Sequence, residues 1–536
     1  MTVCFGARQS FKRIRQITVS FLAVVCVLPL GVNSLVSAQQ TGRNARVLKI
    51  RIERYQEQHR AHRRKLEITL TDYARFCDRK GLAQEAARVR KLLKAGTTQT
   101  FRIDSLPEKV QPDIPANLPD DERTWSIQIR HAQKEYAKEL YILSRRALYA
   151  GFPSYAYRLV REIVIHDPDH KSARRLLGYV RSGDDWLTPF AAEKARGRYV
   201  WHDKFGWLRQ LHVKRYENGE RRFKGRWISS AKEAELRRDF RNAWKVRTDH
   251  YLVITNYSLE RGVEIATALE EYYRIFFQTF AAFFNTPEQL QKLFEGNAKR
   301  RRRPLKSKPY IVHYYRTRDE YNQRLLKKIP QIGITHGLYY TTDRIAYFFH
   351  NPQATDNSTL YHEATHQLFY ESEMRRRPIG ERKDFWIIEG IACYMESFRQ
   401  EKGRISLGNP LYTRFVAARH RFLVNDYYVP LERFASMGMH EFQTDPSIAK
   451  NYSQASGLAQ FFMEYEGGKY RDALIEHLTQ LYHQKPRSLT GAQSLAELTG
   501  TGYSELDKQY GEFLKKVEDD LASRNPPAID PQKSLK

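Results

Sequence analysis

The chain has 536 residues, 41% of them hydrophobic, with 90 Lys+Arg against 61 Asp+Glu and a formal net charge of +29. That apolar share excludes an intrinsically disordered chain, and at roughly 150 residues per domain the length predicts two or more domains. The one long apolar run, Ile17 to Leu30, falls short of the ~20 residues that span a bilayer, which excludes a polytopic membrane protein.

Residues 1–38 have the three parts of a secretory signal: a basic stretch (Arg8, Lys12, Arg13, Arg15), the apolar run, and Val36-Ser37-Ala38 as a small-residue cleavage site. Cleavage near Ala38 and export to the periplasm, cell envelope or medium are therefore expected; an uncleaved anchor is the alternative. The mature chain would keep 86 basic residues against 61 acidic, a net +25 with no transmembrane segment. Such a field favours encounter with an anionic cell-envelope polymer, whereas nucleic acid is not an expected partner behind an export signal. The densest basic cluster, Lys299 to Arg303 with Lys306 and Lys308, reads as a solvated loop or a polyanion-binding patch. Only Cys77 and Cys393 remain after cleavage, so stability rests on core packing rather than on a disulfide framework.

Residues 39–185 read as an α-helical domain. Leu66, Leu70, Tyr73, Ala74 and Cys77 recur at 3/4 spacing, Gly81 breaks the pattern, and Ala86, Val89 and Leu93 resume it, which predicts a helical hairpin. Residues 97–121, with Pro107, Pro112, Pro115 and Pro119, predict an extended linker or an ordered loop. Beyond Trp125, Ser144, Ala156 and Pro168 stand at 12-residue intervals, as Ala74 and Ala86 do in the first hairpin; this resembles tetratricopeptide packing, although the consensus Trp is missing. Residues 186–230, rich in aromatics and glycine, predict a β-containing connecting segment. From 231 to 520 strands at Tyr251–Thr255, Tyr310–Tyr314 and Arg344–Phe349 alternate with helices at Leu259–Phe284 and Asp319–Leu326, around a turn-rich Gly333 to Asp343, an α+β arrangement. The tail, 521–536, is polar and proline-containing and is expected to be disordered.

The strongest chemistry lies in Tyr361-His362-Glu363-Ala364-Thr365-His366. On a helix, residues four apart are separated by about 40° in azimuth, so His362 and His366 can reach one cation while Glu363 faces its water. Twenty-three residues on, Glu389 stands in the apolar helical segment Trp386-Ile387-Ile388-Glu389-Gly390-Ile391-Ala392. A lone carboxylate is costly to bury there, and a third, oxygen ligand completes a catalytic His₂Glu zinc site.

With HExxH followed by Trp386, Glu389, Gly390 and Ala392, the chain resembles the gluzincin branch of the zincin metallopeptidases. From about Tyr251 to Leu514 it also resembles a group of exported zincin-like proteins abundant in planctomycete bacteria. The resemblance implies Zn²⁺ held by His362, His366 and Glu389, with Glu363 as the base acting on the metal's water. It further implies a tyrosine at the start of a later helix as donor to the oxyanion, for which Tyr452 is the candidate; a core-packed aromatic is the alternative reading. The thermolysin-like pattern within that branch has an aspartate four residues after the glutamate ligand to orient the first histidine. Cys393 occupies that position, so Glu396 is expected to take over the role.

The expected architecture is a zincin-like α+β metallopeptidase domain preceded by a tetratricopeptide-like helical domain, and the expected function is hydrolysis of a peptide or protein substrate. The competing expectation is a non-catalytic zincin-like module that binds cell-envelope partners through its helical domain and basic surface. The resemblance places substrate subsites on the strand before the motif helix, Arg344 to Phe349, and on neighbouring loops.

Overall fold

The computed structural model describes residues 33–94, 102–296, 308–354, 356–372, 379–401, 404–483 and 492–523. Most of the signal segment, the basic cluster apart from Lys308, and the tail from residue 524 lie outside the described residues. The fold is mixed α/β, mostly helix with small sheets.

Helix α1 (Asn33–Arg79) turns at Gly81, whose φ of +74° suits the absence of a Cβ, into α2 (Ala83–Lys94). Leu66, Leu70, Ala74 and Cys77 bury one face of α1 against Ala86 and Val89 of α2. Helices α3 (Asp120–Tyr149) and α4 (Pro153–His166) add a second antiparallel pair, in which Ser144 and Ala156 are fully buried. Proline at the first position of α4 costs nothing, because that N–H has no partner within a helix. Cys77 and Cys393 are both buried free thiols.

The proline-rich segment does more than connect. Its strand β1 (Arg102–Asp104) pairs antiparallel with a strand some 300 residues away, Ile103 opposite Ile405. The connecting segment contains two two-stranded antiparallel hairpins among its described residues, starting at Tyr199 and Glu220, and a third, starting at Val180, straddles the predicted boundary at residue 185. The helical layer is not a free-standing arm: Leu290 and Phe294 join its core, the Tyr141 hydroxyl donates to the Phe294 carbonyl at 2.8 Å, and the Ser154 hydroxyl donates to Asp472 at 2.9 Å.

The central sheet is built from β2 (Trp244–Arg247), β3 (Tyr251–Thr255), β4 (Tyr310–Tyr315), β5 (Gly337–Tyr340) and β6 (Ile345–Phe349), in the spatial order β5-β6-β4-β3-β2. The inner strands β3, β4 and β6 run parallel, and both edges are antiparallel. This corrects two expectations. The stretch read as turns contains β5, which is the sheet edge, and the strand expected to carry substrate subsites, β6, is interior and hydrogen-bonded on both sides. The long helix predicted to Phe284 ends at Thr279 as α5 (Leu259–Thr279), with a short turn of helix after a break at Phe280. Its Ile265, Leu269, Tyr272 and Phe276 are buried in the main core.

Behind the sheet lie α6 (Ser358–Ser372), α7 (Phe385–Met395) and α8 (Ile448–Glu464). Two further strands, β7 (Arg399–Glu401) and β8 (Arg404–Ser406), form a hairpin after α7, and β8 is the partner of β1. A last helix, α9 (Tyr503–Ala522), closes the core through Leu506, Tyr510 and Leu514.

Candidate metal centre

Every residue from Leu360 to Phe369 of α6 is buried, so this helix is surrounded rather than amphipathic. It lies against β5 and β6 on one side and α7 on the other. Helix α7 is apolar all round apart from Glu389, and its approach to α8 depends on one glycine. A Cβ on Gly390 would stand 2.6 Å from the Ala455 carbonyl oxygen, so only hydrogen at that position lets the two backbones come so close. The glycine beside the glutamate thus sets how deeply Glu389 sits in the fold.

His362, His366 and Glu389, exposed by 1%, 5% and 0%, converge so that one ligand atom from each lies within 4.8 Å of the others. The two Nε2 atoms are 3.1 Å apart, and Glu389 approaches His362 Nε2 at 3.4 Å and His366 Nε2 at 3.8 Å. Both Glu389 oxygens are buried without a hydrogen-bond donor. An ionised carboxylate in that condition is severely destabilised unless a cation shares the site. The donor set, two imidazoles and one carboxylate, is the one zinc takes at three-ligand centres that keep an open position. The residues therefore fit the metal. Burial also lowers the His366 pKa to about 4, leaving the imidazole neutral and its lone pair available near neutral pH.

His362 is oriented from behind. Its Nδ1 lies 2.6 Å from Glu396 Oε1, and Glu396 Oε2 accepts from the Tyr412 hydroxyl at 2.6 Å and from Arg414 Nε. Burial would raise the Glu396 pKa, yet Arg414 and His362 hold it down to about 2, so it remains a carboxylate facing the imidazole. Cys393 is fully buried and close enough to His362 and Glu396 for its sulfur to fall within the same 4.8 Å grouping; burial raises its pKa, which keeps it a thiol.

Glu363 is fully buried next to the cluster. Its Oε2 accepts from the Tyr339 backbone N–H at 2.6 Å, while Oε1 has no donor. Burial is the main cause of a Glu363 pKa raised to about 7, with Glu389 and Glu396 adding to the rise and His362 opposing it. The amide that holds Glu363 belongs to β5, the edge strand that sequence patterning missed: Gly-Leu-Tyr-Tyr between turns has no period long enough to read. Tyr412 and Arg414 were missed as well, since nothing local links them to a histidine 50 residues earlier.

Tyr452 stands in the second turn of α8. It is half-buried on α8, its ring edge-on to Phe442 at 5.3 Å, and Phe442 packs in turn on Phe385 and Phe434. Compared with known proteins, the chain matches no family model and no curated protein.

Proposed function

We propose that this chain is an exported zinc-dependent peptidase of the gluzincin type, its zincin-like catalytic half preceded by a tetratricopeptide-like helical half. The observation that carries the reading is the buried carboxylate oxygen Glu363 Oε1, without a donor, beside a His₂Glu cluster whose carboxylate also lacks donors.

His362, His366 and Glu389 would hold the cation, with His362 kept in orientation by Glu396, Tyr412 and Arg414. When bound, zinc would supply a Lewis acid that polarises the scissile carbonyl and acidifies the attacking water. Glu363, steadied at Oε2 by the Tyr339 amide, takes the water proton at Oε1 and returns it to the leaving amine. Strand β5 pairs only with β6 among the described strands, which leaves its other edge for an extended peptide to add alongside the base. The non-catalytic binding module, which would keep the metal, is less well supported, because such a module has no chemical use for an intact Glu363.

The test is zinc content of the purified chain by elemental mass spectrometry, with His362→Ala and Glu389→Ala in parallel, followed by a peptide-library digest with Glu363→Gln as control. One zinc per chain, lost in both ligand variants, together with cleavage abolished in Glu363→Gln, is the expected result. Zinc bound without cleavage of any peptide would favour the binding module, and no zinc after reconstitution would overturn both readings.

A further inference from the structure

A cavity away from the His-Glu cluster lies where the helical layer meets the catalytic half. It has a volume of about 380 Å³, within the range of small-ligand sites. Helix α4 contributes Arg158 and Arg161, three residues apart and so on one face. The opposite walls come from α5, from the end of α8, from Tyr394 of α7, and from the paired strands β1 and β8. The proline-rich segment, docked as a strand on the hairpin after α7, thus supplies one wall of the cavity.

Five arginines line it against three acidic residues, Asp104, Glu162 and Glu464. Glu162 faces His59 at 3.0 Å and accepts from the Tyr136 hydroxyl at 2.6 Å. Glu464 accepts from the Tyr394 hydroxyl and lies 3.4 Å from Arg471. Among the described residues neither Arg158 nor Arg161 has a carboxylate within ion-pair distance. Arg161 donates to two neutral oxygens, Gln278 Oε1 at 2.9 Å and the Asp104 carbonyl at 2.8 Å. Arg158 lies over the Tyr155 ring, and its Nε is buried with no partner. Burial lowers the pKa of both guanidiniums, a sign that each is charged at a cost in free energy. Guanidiniums that meet only neutral partners suit a carboxylate or phosphate, which could displace or share those weaker hydrogen bonds. The wall also carries apolar side chains, among them Ile165, Ile275 and Leu407.

We propose that this cavity binds a small amphipathic oxyanion, its carboxylate or phosphate head on Arg158 and Arg161 and its hydrocarbon body against the isoleucine wall. This reading stands independently of the peptidase assignment. The probes are hexanoate, hexyl phosphate and neutral hexanol, titrated calorimetrically into the EDTA-treated full chain at constant ionic strength, so that no cation at the His-Glu cluster competes for the head group. The expected result is one site per chain for at least one of the anions, at least tenfold tighter than hexanol. Which head group binds more tightly distinguishes a carboxylate from a phosphate ligand. Arg161→Gln and Arg158→Met should each weaken that binding tenfold or more while circular dichroism stays unchanged. Equal binding of hexanol and the anions, no binding of either anion, or undiminished affinity in both folded variants would overturn the proposal. Should the variants not fold, the wild-type series decides alone.

Discussion

Gly390→Ala tests the packing that positions Glu389. In an unconstrained helix this change stabilises by about 1 kcal/mol, because alanine gives up less backbone entropy. Here the new Cβ would meet Ala455 O at 2.6 Å, Ala455 C at 3.2 Å and Ala459 Cβ at 3.4 Å. Carbon and oxygen rarely approach closer than about 3.3 Å, so the first contact is short by roughly 0.7 Å. The atom it meets is backbone within α8, which no rotamer change can move, so relief requires α7 to shift bodily in a filled core. Overpacking of this kind costs about 1–3 kcal/mol, and a backbone clash belongs at the upper end. Subtracting the propensity gain leaves a net loss of about 2 kcal/mol, or roughly 4–8 °C in melting temperature for a domain of this size. The assay is thermal unfolding by circular dichroism beside Gly333→Ala, where an added Cβ meets nothing within 4 Å and the change should be close to neutral. If Gly390→Ala melts at or above the wild type, propensity outweighs contact and the close approach of α7 to α8 is not what fixes Glu389.

Glu396→Gln should leave the fold intact and weaken zinc binding about 10–100-fold, read by competition with a chromogenic chelator; unchanged affinity would show that Glu396 does not orient His362. Burial favours protonation of Glu162, but hydrogen bonds from His59 and Tyr136 hold its pKa at about 2, below the 4.5 of a free glutamate. The stability it contributes is therefore present above about pH 4.5 and lost as pH falls towards 2, so the melting-temperature gap between wild type and Glu162→Gln should close over that window. A gap independent of pH would refute the assignment. Asp472 behaves oppositely: burial raises its pKa from 3.8 to about 6, while the Ser154 amide and hydroxyl partly offset the rise. The folded state binds this proton more tightly than the unfolded chain, so the wild type loses stability as pH rises from about 4 to 6. Asp472→Asn should gain on the wild type across that interval and hold a constant advantage above it, whereas an advantage already complete at pH 4 would contradict the raised pKa.

Local pattern was enough for the parts of this protein that depend on neighbours in sequence. The 3/4 spacing of Leu66, Leu70, Ala74 and Cys77, the break at Gly81, the apolar runs of β3 and β4, and the one-turn separation of His362 and His366 are all properties of a single helix or strand. The identity of Glu389 as a partner could be suspected, because an isolated carboxylate in Trp386-Ile387-Ile388-Glu389-Gly390 has few other reasons to be buried. What only tertiary structure decided is what long-range pairing creates. β5 is too short to show a period, and it becomes an edge strand solely through its register with β6, where Gly337 meets Phe348 and Tyr340 meets Ile345. Arg414 and Tyr412 reach Glu396 from beyond an intervening hairpin, and Arg102 to Asp104 becomes a strand only because β8 offers an unpaired edge. Hydrogen bonds across such separations carry no periodicity, since their spacing in sequence is set by loop lengths that the physics of a single segment does not constrain.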